Sequence, residues 1–224
     1  MADSHILRSS RSRRYSAGRA ALRPGMGRRQ RRAAETRIRL FRNALKLIAA
    51  RGLANVTVED ITEAADVGKG TFFNYFSSKD HVLGVMAEIQ LSKGREAAAS
   101  ASQGGEPVRD VLRRLVRRLA EEPGRSPRLA RAFISSFLAS DCVRNILKLH
   151  MREGRKTIAG IIAMGQRSGE LDPRLRKDDV ALQFLQMVLG TVLLWSLHEK
   201  PALSAWMGSS FEHFWRSVAA QKKK

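Results

Sequence analysis

Apolar residues recur along this chain at spacings of three and four positions, which is the period of an amphipathic α-helix. A clear example runs through Ile38, Phe41, Leu45 and Ile48. No stretch of any length alternates apolar and polar residues as a half-buried β-strand does. The pattern predicts an all-α fold whose helices cover residues 33–50, 57–65, 69–76, 78–101, 107–120, 127–140, 143–167, 180–198 and 204–221.

The stretch from residue 57 to residue 76 is predicted to form two short helices joined by a turn. Thr57 precedes its first apolar position and is followed three residues later by Asp60, which predicts an N-cap with a loose capping box. The helical spacing stops before Gly68, a residue that can take the positive φ of a tight turn, and resumes with Phe72 and Phe76. This arrangement is a helix-turn-helix.

The second helix of this helix-turn-helix carries polar side chains suited to nucleic acid. If Phe72 and Phe76 face the core, the other faces present an ammonium group, a hydroxyl, an amide and a phenol. Such groups bond phosphate oxygens and base edges. The alternative, an aromatic core helix, would leave Lys69, Asn74 and Tyr75 in need of buried partners at a cost of about 1–3 kcal/mol each. The pattern therefore favours a DNA-binding surface.

Residues 36 to 83 closely resemble the DNA-binding domain of TetR-family transcriptional regulators. The resemblance rests on a helix followed by Arg51-Gly52, Thr57, Ile61, Ala64-Ala65, Gly68, Lys69-Gly70-Thr71, Tyr75-Phe76 and Ser78-Lys79-Asp80. It implies that DNA, mostly its backbone, is contacted by Thr57, Lys69, Gly70, Thr71, Phe73, Asn74, Tyr75 and Lys79. In the family, the residue at the position of Phe73 is often tyrosine, so phenylalanine here implies one phosphate hydrogen bond fewer.

The charge of the chain is strongly positive and uneven. The formal net charge is +20, from 41 Lys and Arg against 21 Asp and Glu. Residues 1–32 hold ten arginines and one aspartate and show no apolar periodicity, which predicts a disordered basic arm. After this arm we expect a DNA-binding domain at residues 33–80 and a helical effector-binding and dimerisation domain at residues 81–224. The arm is interpreted as a DNA tether, a solvated tail without function, or sequence ahead of a true start at Met26.

The last two predicted helices are apolar on nearly every side. A helix of this kind must be covered all round, which predicts packing against a second copy of the chain. The resemblance implies the same, because TetR-family proteins dimerise through a bundle of their last two long helices. Polar residues such as Gln183 and Gln186 interrupt residues 180–197, so this run is expected to be a buried helix and not a membrane span. The candidate interface residues are Leu189, Val192, Trp195, Phe211, Phe214 and Trp215.

The middle helices offer candidates for an effector cavity. Aromatic and flexible apolar side chains suit an apolar or aromatic small molecule, although the same residues also suit an ordinary core. The candidates are Phe133, Phe137, Met151, Ile158, Ile162, Phe184 and Met187.

Enzymatic function is not supported by any motif. The five histidines are scattered, and the chain has no glycine-rich phosphate loop and no zinc pattern. The single cysteine, Cys142, cannot form an intramolecular disulfide, which fits a reducing cytoplasm. We expect no cofactor, no metal and no membrane partner. We expect the chain to form a cytoplasmic homodimer that binds a palindromic operator and is released from it by a small-molecule effector. Proteins of this family act most often as repressors. The alternative is a basic architectural DNA-binding protein without a ligand.

Overall fold

The computed structural model describes residues 27–198 and 200–221. Over these residues the chain forms nine α-helices and no strand beyond one bridge pair, Leu171 with Ala219, which confirms the all-α prediction. The helices are α1 Arg28–Arg51, α2 Val58–Ala64, α3 Lys69–Phe73, α4 Lys79–Gln103, α5 Val108–Leu119, α6 Pro127–Ala139, α7 Asp141–Arg167, α8 Lys177–Ser196 and α9 Leu203–Val218. Residues 1–26, most of the predicted basic arm, lie outside the described residues.

Helix α1 begins at Arg28, five residues before the predicted start at residue 33. The assignment of residues 28–32 to a disordered arm is therefore wrong. Arginine and glutamine are good helix formers, but this segment has no apolar residue that would reveal a period. Of the predicted stripe of α1, Phe41, Leu45 and Ile48 are buried, whereas Ile38 is only half-buried. The helix ends at Arg51, and its C-cap Gly52 has φ of 77°.

Two clusters of buried residues form the core. The first joins α1, α2 and α3 to the start of α4 and also includes Leu129, Phe133 and Val143 from α6 and α7. The second lies between α5, α7, α8 and α9. Helix α4 extends from the first cluster to the second and packs along α7. The packing is thus continuous across the predicted boundary at residue 80.

Helix α8 is apolar but only partly covered. Among the described helices it is the one whose length and composition would suffice to cross a membrane, and a third of its apolar window is buried. Its exposed large apolar side chains are leucines, and Leu197 follows just after its end. The exposed leucines of this segment are Leu182, Leu189, Leu193, Leu194 and Leu197. They form an apolar surface without a partner inside the described part of the chain.

Candidate functional site

The first helix of the helix-turn-helix is fixed by a complete capping box. The Thr57 hydroxyl oxygen accepts the Asp60 N–H at 3.0 Å, and an Asp60 carboxylate oxygen accepts the Thr57 backbone N–H at 2.8 Å. Aspartate was predicted to make only a loose box, but both halves form. Hydrogen bonds from Thr57 lower the pKa of the Asp60 carboxyl below its ordinary value, and Arg51 adds to the effect. The N-terminus of α2 is therefore held at a defined position.

The turn between α2 and α3 uses a different residue for its left-handed conformation than predicted. Asp66 has φ of 50°, whereas Gly68 has φ of −69° and is the extended N-cap of α3. Aspartate is one of the few residues besides glycine that takes this conformation readily. A Cβ atom at Gly68 or Gly70 would meet nothing within 4 Å. Open space therefore lies beside both glycines. Glycine at such a position allows another backbone to approach closely.

The aromatic residues in and just after α3 divide between the core and the surface as predicted. Phe72 and Phe76 are fully buried, with ring centroids 5.3 Å apart, whereas the side chain of Phe73 is 51% exposed. Helix α3 is only five residues long, so Asn74 is its C-cap and Tyr75 lies just beyond it. Asn74 is exposed, and Tyr75 is half-buried against the N-terminal core cluster.

Two predicted DNA-contacting lysines have different surroundings. Lys69 is exposed and forms an ion pair with Glu59 on α2. That contact lowers the pKa of the Glu59 carboxyl below its usual value. Lys79 instead donates to the backbone carbonyls of Leu53, Ala54 and Val56 at 2.9, 3.3 and 2.8 Å. An ammonium group has three donors, so in this conformation Lys79 ties the start of α4 to the loop after α1.

Arginines on the exposed face of α5 form ion pairs with nearby carboxylates. Arg113 pairs with Asp110 at 2.5 Å, Arg114 with Glu106, and Arg118 with Glu96 at 2.7 Å. These contacts are typical of a solvated helix face. We therefore interpret the arginine-rich face of α5 as a solvated surface and not as a second surface for nucleic acid.

A cavity of about 210 Å³ lies between α4, α5, α6, α7 and α8. Of the seven residues predicted to line an effector cavity, five do so: Phe133, Phe137, Met151, Ile158 and Phe184. Ile162 and Met187 do not. Ile162 is completely buried in the C-terminal core, and Met187 packs against the same cluster from its edge.

Helix α4 is the wall that the sequence-based prediction missed. No cavity residue was predicted from this helix, although its residues contribute to both the N-terminal core cluster and the cavity lining. A signal was present, because α4 carries apolar residues on more than one face. The lining residues from α4 are Leu83, Met86, Ala87, Gln90, Leu91 and Gly94.

The cavity is lined almost entirely by apolar side chains. Its polar lining side chains are Gln90 on α4 and His150 on α7, and no Lys, Arg, Asp or Glu among the described residues lines it. The His150 Nδ1 atom lies 2.8 Å from the Ile146 carbonyl oxygen, which places a proton on that nitrogen. The cavity therefore suits an apolar molecule and offers no charge to balance an anion.

Most of the predicted dimer-interface residues are covered within the chain itself. Trp195, Phe211, Phe214 and Trp215 are at most 9% exposed and belong to the C-terminal core, so their assignment to a subunit interface needs correction. They pack there because α9 lies against α5 and α8. Leu189 is 40% exposed and also lines the cavity, as does the half-buried Val192.

Comparison with known proteins agrees with this geometry. The family profile described as bacterial regulatory proteins, tetR family, matches residues 40–86, which contain the helix-turn-helix. The HTH-type transcriptional regulator TcmR of Streptomyces glaucescens is 48% identical over 58 residues, which is 26% of this chain and 26% of TcmR. The matched part is thus about a quarter of that relative.

Solved structures share the fold over most of the chain. FadR from Bacillus subtilis, in complex with stearoyl-CoA, has a TM-score of 0.67 and 19% identity and covers 79% of this chain and 96% of its own. The SmeT–triclosan complex has a TM-score of 0.68 and 17% identity, covering 84% of this chain and 93% of SmeT; SmeT is the repressor of a Stenotrophomonas maltophilia multidrug efflux pump. Residues 40–86 of this chain thus match the TetR-family profile, and the described part of the chain shares the helical fold of these solved structures.

Proposed function

We propose that this protein is a homodimeric repressor that binds a near-palindromic operator and releases it when an apolar molecule fills the cavity. The observation that carries the proposal is the position of α4. This helix starts at Lys79, immediately after the helix-turn-helix, and a few residues later it lines the cavity. A molecule in the cavity therefore touches the same helix that positions the DNA-binding surface.

The proposed DNA contacts come from the exposed part of the helix-turn-helix. Lys69 and Asn74 reach outward, Phe73 presents its ring, and the open space at Gly70 permits close approach of a phosphate. Phosphate contacts of this kind position a protein on the duplex, and base-edge contacts add specificity. Thr57, Thr71 and Tyr75 complete this proposed surface. Lys79 acts on DNA indirectly, through the carbonyls it holds.

The proposed dimer interface is the exposed leucine face of α8. Leu193, Leu194 and Leu197 are 44%, 54% and 65% exposed, and contiguous apolar surface of this kind marks an interaction site. Two-fold pairing would place two helix-turn-helix units on successive turns of DNA, about 34–36 Å apart. Because Leu189 faces both this surface and the cavity, a ligand can also shift the geometry of the dimer.

The proposed effector is an apolar small molecule. The FadR and SmeT structures contain stearoyl-CoA and triclosan, respectively, in proteins of the same fold. A ligand shifts the equilibrium only by its differential affinity for the two states. The coupling between an effector site and a second binding site typically changes affinity by about 5- to 150-fold, so we expect the effector to weaken DNA binding by a factor in this range.

An operator competition assay tests the proposal. Duplexes selected from a random pool by the full-length protein should be bound about 10³-fold or more tightly than random DNA at physiological salt. A basic architectural protein would show steep salt dependence without that preference. Adding 2-naphthol, a small aromatic probe, should weaken operator binding. If the protein binds its operator selectively but no apolar compound changes that binding, the proposed DNA recognition stands and the proposed release by a ligand is refuted.

A further inference from the structure

Among the described residues, Gln90, which lines the cavity, carries a buried acceptor without a hydrogen-bond partner. Gln90 projects from α4, and its Nε2 group donates to a Glu122 carboxylate oxygen at 3.1 Å and to the Met86 sulfur at 3.8 Å. Its Oε1 atom is buried and finds no donor within residues 27–198 and 200–221. Both amide protons are thus engaged while the carbonyl oxygen is free.

The orientation of this amide is determined by its neighbours. The Glu122 oxygen that faces Gln90 also accepts from the Lys93 ammonium group at 2.5 Å. A cation at that distance favours the ionised carboxylate, which can only accept. Turning the amide over would place Oε1 against a carboxylate oxygen, acceptor against acceptor. Within the described residues the carbonyl oxygen is therefore the unpaired acceptor on this cavity-lining side chain.

An unsatisfied buried acceptor gives the cavity a chemical preference. A hydroxyl or N–H group on a ligand can donate to Gln90 Oε1 and remove the cost of leaving it unpaired. A carboxylate brings more lone pairs and finds no lysine or arginine among the described lining residues. Because His150 Nδ1 donates to the Ile146 carbonyl, a neutral His150 has only Nε2 left, which is a second acceptor.

We infer that the cavity takes neutral, mainly apolar molecules that carry a hydroxyl or N–H donor, and that Gln90 Oε1 accepts the hydrogen bond. The inference rests on the proposed function in that it makes the cavity the effector site. It assigns Gln90 as a specificity-determining residue, with the remaining walls supplying apolar contact.

Three naphthalene derivatives of similar size test the donor requirement on the full-length protein. They are 2-naphthol, which donates, 2-methoxynaphthalene, which only accepts, and 2-naphthoate, which is anionic. Dissociation constants are measured by calorimetry, or by displacement of the neutral fluorophore N-phenyl-1-naphthylamine. We expect 2-naphthol to bind about tenfold more tightly than its methyl ether, as one satisfied buried hydrogen bond implies, and 2-naphthoate to bind most weakly.

Substitution at Gln90 locates the effect. Gln90→Met keeps the volume but removes the acceptor, so the ratio between 2-naphthol and its methyl ether should fall to within about twofold. The matched control is Leu91→Met, an apolar change at the next cavity residue of α4, which should leave the ratio unchanged. Equal binding of the two compounds to the wild type, a ratio that survives Gln90→Met, or tightest binding of 2-naphthoate would each overturn the inference.

A blocked cavity separates this inference from the proposed function. A Cβ atom at Gly154 would meet nothing within 4 Å, and Gly154 lines the cavity, so Gly154→Leu should fill it and abolish binding of all three compounds. Thermal melting verifies that this variant is folded. If no compound binds the wild type, or Gly154→Leu still binds them, both proposals fail. If Gly154→Leu blocks binding but the donor makes no difference, only the assignment of Gln90 fails.

Discussion

Within the helix-turn-helix, the capping box and the paired aromatic rings join residues three or four positions apart in sequence, whereas the cavity joins residues from five helices. Thr57 and Asp60 close the capping box, and the rings of Phe72 and Phe76 pack 5.3 Å apart. The cavity is lined by residues as distant in sequence as Gln90 on α4 and Phe184 on α8. A local unit depends on a few particular residues. A cavity built from many helices can change its lining one residue at a time, because volume-conserving apolar exchanges are tolerated.

The largest expected effect separates two adjacent phenylalanines. Phe72 is completely buried, so Phe72→Ala should lower the free energy of unfolding by about 3–5 kcal/mol and abolish DNA binding. Phe73 is half exposed, so Phe73→Ala should change stability by about 0.5 kcal/mol or less while weakening DNA binding. Urea unfolding and operator titration measure both. Equal destabilisation by the two variants would show that the local packing is not what holds α3.

The same contrast explains which features the sequence predicts. The capping threonine, the inward phenylalanines and the exposed Asn74 follow from spacing within one or two turns. Trp195 and Phe211 were assigned to a subunit interface but lie in the core of the chain itself. The assignment was wrong because periodicity shows that a helix face must be buried but does not show which element packs against it. Gln90 was missed for a related reason: a single glutamine within an apolar pattern gives no sign of the cavity beside it.

The next expected effect tests the exposed leucine face of α8. Leu194→Glu places a charge on a surface that we propose to be an interface, so the protein should sediment as single subunits. Loss of the second helix-turn-helix should then weaken operator binding by about 100-fold or more, since bivalent attachment contributes 10²–10⁴. The control, Leu138→Glu, changes a leucine that is 76% exposed on α6 and should leave both measurements unchanged. A Leu194→Glu protein that still sediments as a dimer would place the interface elsewhere.

A smaller effect distinguishes the two lysines beside the proposed DNA surface. Lys79→Met removes three hydrogen bonds to backbone carbonyls and should cost about 2 kcal/mol of stability. Lys69→Met removes an exposed ion pair and should change stability by about 0.5 kcal/mol or less. Lys69→Met should instead reduce the salt dependence of DNA binding by about one phosphate contact. The opposite result, with Lys79→Met affecting only the salt dependence, would make Lys79 a direct DNA contact.

A buried ionic contact links the two regions of the molecule. Glu88 on α4 lies 3.7 Å from the Arg37 guanidinium of α1, which in turn sits 5.7 Å from the centre of the Phe76 ring. Burial raises the pKa of the Glu88 carboxyl to about 7, against the opposing effect of Arg37. Ala87 and Gln90, which are one and two positions from Glu88 on α4, line the cavity. Glu88 therefore stands between the cavity wall and the core of the helix-turn-helix.

The smallest expected effect is a pH dependence of stability that comes from this carboxyl. Its folded pKa of about 7 exceeds its ordinary value of 4.5, so the native state retains a proton that the unfolded chain releases between these two values. Stability should accordingly fall as pH rises from 4.5 to 7, by on the order of 1 kcal/mol after allowance for partial solvent contact. Glu88→Gln cannot ionise, so its melting temperature should decline less over that interval than that of the wild type, by about 2–4 °C. Glu63→Gln, an equal change of charge on the exposed surface of α2, is the control and should follow the wild type. Parallel curves for wild type and Glu88→Gln would mean that Glu88 is ionised in the folded protein throughout this range, with Arg37 compensating for its burial.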